Sequence, residues 1–173
     1  IFHLGTLLLQ IGNFKKAKKF LNKAIEIKPN HIHAVNNLGI TFYELGEFTT
    51  AKTFYERALK INPNYLESIF RLGTLCAEIG DCKKASKLLN TVIEINPNHA
   101  DAYHNLGLVF KELGEFQKAI TYYGKAIEIN PNHIATITNI SILFKQIQLN
   151  KLNKNSQHIL KKIFLFLFKR NDV

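Results

Sequence analysis

The sequence predicts an all-α fold of stacked helix pairs, and three observations carry that reading. All four prolines, Pro29, Pro63, Pro97 and Pro131, stand 34 residues apart. Eight of the nine glycines keep the same spacing in two series, Gly5, Gly39, Gly73 and Gly107, and Gly12, Gly46, Gly80 and Gly114. Between these marks apolar residues recur at helical intervals, as in Val35, Leu38, Phe42 and Leu45 and then Phe48, Ala51, Tyr55, Ala58 and Leu59. A fixed period of this length marks a repeat architecture, in which each copy has an apolar face it cannot cover alone and must stack on its neighbours.

The copy from Ile32 to Tyr65 shows the plan. A first helix runs to Leu45, Gly46 breaks it, and a second helix continues until Pro63, which cannot extend it. Asn62 and Asn64 on either side of the proline favour a turn and a fresh N-cap. Glycine inside a helix costs about 1 kcal/mol against alanine, so Gly39 and its equivalents predict a close helix crossing. Ala51 is expected opposite Gly39, with Tyr55 and Phe42 filling the space beyond.

The array is assigned to residues 1–149: an incomplete first copy (1–31), complete copies at 32–65, 66–99 and 100–133, and a decayed fifth (134–149). The fifth keeps Ile137, Ile140, Ser141 and Phe144 in register, but Gln148 stands at the turn glycine and Asn153 at the small alanine. Residues 150–156 read as a polar linker. Residues 157–170 read as an amphipathic helix with Ile159, Ile163, Phe164 and Leu167 on one face, a cap on the stack or the start of a following domain. In the third copy Cys76 and Cys82 replace the rings of Phe42 and Phe48, which predicts buried thiols and looser packing. Gly124 lies outside both series and is expected at an exposed helical position. His31, His99 and His133, each after Pro-Asn, read as turn or cap residues.

The formal charge of +10 sits at the two ends. Residues 1–28 hold six Lys against one Glu, and residues 145–173 hold seven Lys or Arg against one Asp, so the middle is close to neutral. No continuous basic face is implied, and nucleic acid is not an expected partner. Two cysteines make neither a disulfide framework nor a zinc site, which favours a reducing, cytoplasmic compartment. The apolar run Ile163–Phe168 falls far short of the roughly 20 residues that span a bilayer. No phosphate loop, nucleophile elbow, HExxH or catalytic carboxylate pair is present, so neither enzyme activity, a cofactor nor a metal is expected. The start at Ile1 suggests a piece of something longer, with continuation into another domain.

The repeated positions resemble the tetratricopeptide repeat family. They are Leu4, Gly5, Ala17, Ala24 and Pro29; Leu38, Gly39, Phe42, Ala51, Tyr55, Ala58 and Pro63; Leu72, Gly73, Ala85 and Pro97; and Leu106, Gly107, Phe110, Ala119, Tyr123, Ala126 and Pro131. The resemblance implies a right-handed solenoid of antiparallel helix pairs, whose first helices line a concave groove that binds protein or peptide segments. With the shared positions committed to packing, the groove stripe is expected to carry His33, Asn36, Asn37 and Ile40, then Phe70 and Arg71, then His104, Asn105 and Leu108, then Asn139.

Asn37, Asn105 and Asn139 share one register, with Arg71 between, and a carboxamide can both donate to and accept from a peptide backbone. Such a row resembles the asparagine ladder on the repeat arms of protein O-linked N-acetylglucosamine transferases. On that resemblance, the chain would recruit substrates for a transferase domain beyond Val173. The family's carboxylate clamp fits poorly, because His3 replaces an Asn and Glu67 a Lys.

Overall fold

The computed structural model describes residues 1–146 and 152–169, with 146 and 166–169 described by backbone alone. Among the described residues the secondary structure is helical, as the period predicts. The helices are α1 (Phe2–Gln10), α2 (Phe14–Ile27), α3 (Ile32–Glu44), α4 (Phe48–Ile61), α5 (Leu66–Glu78), α6 (Cys82–Ile95), α7 (Ala100–Glu112), α8 (Phe116–Ile129), α9 (Ile134–Gln146) and α10 (Lys154–Lys169). Within pairs the turn glycines Gly12, Gly46, Gly80 and Gly114 take φ of 76°, 75°, 80° and 71°. This is left-handed backbone that a residue without Cβ adopts with least strain.

Between pairs, Asn62, Asn96 and Asn130 accept through Oδ1 the backbone N–H of Asn64, Asn98 and Asn132 at 3.0, 3.1 and 3.1 Å. These local bonds turn the chain around each proline. Helices α3, α7 and α9 then start on His31, His99 and His133. Their Nδ1 atoms accept the N–H of Ala34, Ala102 and Thr136 at 3.3, 3.3 and 3.2 Å. An imidazole thus does at these helix starts what Asn or Ser commonly does, satisfying one orphan donor of the first turn.

The chain divides into two compact units, Ile1–Leu75 and Cys76–Val173, so the boundary falls inside the third copy. In the first unit Ala17, Leu21, Ala34, Val35, Leu38, Ala51, Tyr55 and Ala58 are buried. A Cβ on Gly39 would come 2.5 Å from Tyr55 Cε1, and one on Gly5 would come 2.8 Å from Leu21 Cγ. The glycine therefore makes room for the ring of Tyr55, one turn beyond Ala51, and this corrects the expected Gly39–Ala51 crossing. Phe42 stacks on Phe54 with centroids 5.1 Å apart.

The second unit repeats the device, with Gly107 under the ring of Tyr123. Its core joins Ala119, Ile120, Tyr123 and Ile127 of α8 to Ile140 and Leu143 of α9 and to Leu152, Leu160 and Ile163. Asn153 caps α10, its Oδ1 accepting the N–H of Ser156 at 2.8 Å. Phe164 meets Phe144 edge-on at 4.6 Å. Gly124 is buried, contrary to expectation: a Cβ there would lie 2.7 Å from Ile159 Cγ2, so its bare backbone lets α10 lie on α8. Cys76 is buried and Cys82 half-buried, and neither forms a disulfide. Gln148, residues 150 and 151 of the expected linker, Arg170 and the side chain of Leu167 lie outside the described residues.

Candidate functional site

The expected stripe separates into residues that face outward and residues that do not. In the first unit His33 is exposed, Asn37, Ile40, Phe70 and Arg71 are half-buried, and Asn36 is buried at 2% exposure. Asn36 Oδ1 accepts from Ser68 Oγ of α5 at 2.8 Å. In the second unit Asn105, Leu108 and Asn139 are half-buried, but His104 is only 8% exposed and its Nδ1 lies 2.9 Å from Thr136 Oγ1 of α9. Asn36 and His104 are therefore corrected from surface ligands to interior contacts between successive first helices. One residue before Asn37 or Asn105 is about 100° around the helix, and that rotation turns these side chains toward the next repeat.

The Asn row is engaged within the protein. Asn37 Nδ2 donates to Thr6 Oγ1 at 3.0 Å, and Asn139 Nδ2 donates to the Ala135 carbonyl of its own helix at 3.0 Å. Arg71 Nε donates to Glu67 Oε1 at 2.7 Å. His33 Nδ1 meets the Tyr65 hydroxyl at 3.0 Å. Burial holds the Tyr55 phenol well above its ordinary pKa, opposed by the Arg71 guanidinium. Burial also raises Tyr123, whose Oη has no hydrogen-bond partner among the described residues, unusual for a buried hydroxyl.

Sequence reasoning missed a chain of polar contacts in the second unit. Asp101 Oδ1 lies 3.0 Å from His133 Nε2, His133 Nδ1 lies 2.8 Å from Thr136 Oγ1, and Thr136 Oγ1 leads on to His104. The rings of His104 and His133 stack with centroids 4.9 Å apart. Because His133 Nδ1 accepts the Thr136 N–H, its proton sits on Nε2 and is donated to Asp101. An Asp, a His and a hydroxyl in line resemble a nucleophilic triad, but Thr136 is fully buried and its hydroxyl has no approach for a substrate. The signal lay in Thr136 standing where other copies have Ala34 and Ala102. Burial, then the neighbouring His133, lower the His104 pKa to about 4, with Asp101 opposing.

Among the described residues no cluster of His, Cys, Asp and Glu is placed to hold a metal ion. None of their helices is long and apolar enough to cross a membrane.

Models of the tetratricopeptide repeat match residues 3–64, 42–107 and 100–133, which together run without a gap. The chain belongs to the tetratricopeptide repeat family. Among solved structures, the crystal structure of MamA is similar to this repeat protein at 26% identity, covering 98% of this chain and 97% of that one with a TM-score of 0.78. A second, the crystal structure of MamA protein, gives 26%, 99%, 92% and 0.80. MamA from residue 41 to its end, from Desulfovibrio magneticus RS-1, shares the fold at 22% identity, with 96% and 93% coverage and a TM-score of 0.79. No curated protein matches the chain. These matches support the tetratricopeptide fold and lend nothing to the resemblance to glycosyltransferase arms.

Proposed function

We propose that this chain is a protein-interaction module whose first helices receive an extended peptide or protein segment. The observation that carries the reading is a doubled column in the second unit. Asn105, Leu108 and Lys111 on α7 recur at the same three positions of α9 as Asn139, Ile142 and Lys145. Ile142 is 43% exposed, and Leu108 is half-buried, so apolar surface stands outside the core between amides on one side and ammonium groups on the other. Aliphatic surface supplies binding energy, and carboxamides grip backbone without reading sequence. Asn139 spends one N–H within its own helix, and a carboxamide has a second N–H and an oxygen to offer. In the first unit His33, Asn37 and Ile40 on α3, with Phe70 and Arg71 on α5, offer a more aromatic set.

The test is selection of binding peptides from a random library against the whole chain, followed by Asn105→Ala combined with Leu108→Ser. The double change should weaken selected peptides by about 1–3 kcal/mol, through lost apolar contact and unpaired backbone groups. Affinity equal to the parent's would remove this stripe as the binding surface.

A further inference from the structure

Helix α8 differs from the other second helices on the side that meets α10. Where α2, α4 and α6 carry Lys18, Lys52 and Ser86, α8 carries Ile120; where they carry Asn22, Glu56 and Asn90, it carries Gly124. Ile120 is fully buried, and Gly124 lies under Ile159. A polar helix face has thus been rewritten as a docking face, and α10 does not fill it completely.

Between the two helices lies a cleft of about 600 Å³, walled by Gly124, Ile127, Ile159 and Ile163. That volume falls within the range of small-molecule sites, and the apolar walls match such sites in character. Ile127 and Ile163 are each only 5% exposed, so most of each side chain belongs to the core and the cleft meets only their edges, beside the half-buried Ile159. The rim carries Glu128, His158 and Lys162. Glu128 Oε2 takes the ammonium of Lys125 at 2.7 Å, which leaves the rim's sign to Lys162, with His158 one turn before it on α10. Apolar walls and a cationic rim complement an amphiphile with a negative head.

We propose that this cleft binds a free acyl carboxylate, its chain against Ile127, Ile159 and Ile163 and its head at Lys162. The test uses the whole chain and three ten-carbon probes, decanoate, decanol and decyltrimethylammonium, followed by calorimetry and by NMR shifts at Gly124. Decanoate should bind saturably at one site, and Lys162→Glu should weaken it about tenfold, the scale of one charge-assisted contact. Decanol should be weaker and indifferent to that change. Ile127→Phe, which fills the cleft, should weaken both. Lys162 is exposed, so its variant keeps the test open if Ile127→Phe disturbs packing. The proposal is overturned if decanoate does not saturate, if Lys162→Glu leaves it unchanged, or if the cationic probe binds as tightly. Binding to anionic vesicles but not to dissolved decanoate would also overturn it, in favour of a surface contact.

Discussion

Asn36 in the first unit and His104 in the second stand at the same position of their repeats. Each meets a hydroxyl, Ser68 or Thr136, 32 residues further on in the next first helix. The two contacts do the same mechanical work, fixing how one first helix sits against the next through a buried polar pair whose partners must coincide. They differ in proton chemistry. The carboxamide does not titrate in the ordinary range, whereas the imidazole is held neutral by its surroundings and can be charged by acid. One architecture thus contains a joint indifferent to pH and a joint sensitive to it, and the difference lies in a single side chain.

The largest expected consequence is on acid stability. Above pH 6.5, the ordinary histidine value, His104 is neutral whether the unit is folded or not, and it adds no pH dependence. Between 6.5 and about 4 the unfolded chain takes up a proton that the folded chain refuses, so stability is lost as pH falls through that window. The full loss is about 3 kcal/mol, since each tenfold fall in proton affinity on folding is worth about 1.4 kcal/mol. His104→Asn, which copies the first unit's side chain and keeps a partner for Thr136, should flatten this part of the acid limb. Urea midpoints of parent and variant across pH 7 to 4 measure it, and parallel curves would show that His104 is not the group being charged.

The first unit's joint can be broken from the other side. Ser68→Ala leaves the buried Asn36 Oδ1 without its donor and should cost about 1–3 kcal/mol. Adding Asn36→Leu replaces both polar partners by apolar groups, as the first copy does with Phe2 and Ala34, and should restore most of the loss. A double variant no more stable than Ser68→Ala would mean that the cost came from the cavity and not from the orphaned amide.

The same pair shows where the sequence was readable and where it was not. The helix pairs and their turns were legible because prolines and glycines at a fixed period have few structural meanings. Asn37, Leu108 and Asn139 were read as lying beside the packing positions, and they are half-buried. Asn36 and His104 were misplaced because a polar residue beside a surface stripe looks like more surface until its hydroxyl partner, a repeat away, is known. Ser68 and Thr136, each replacing the small Ala of other copies, were the available sign. The Gly39 crossing was misread by one turn, because the spacing shows that something must come close but not which side chain does. Gly124 had no readable meaning until α10 lay over it.

The smallest effect sharpens the comparison at the helix starts. His99 and His133 cap α7 and α9 in the same way, each Nδ1 accepting the N–H three residues on, and His133 is tied further, to Thr136 Oγ1 and Asp101. His99→Ala should lose the cap, worth about 1 kcal/mol, and His99→Asn should recover that part, since a carboxamide oxygen can accept the same N–H. His133→Asn should recover the cap but not the rest, because the shorter side chain does not replace the contacts to Asp101 and Thr136. Full recovery of the His133→Ala loss by His133→Asn, read from melting temperatures at pH 7.5, would mean that the Asp101 and Thr136 contacts add nothing measurable and that His133 acts as a cap alone.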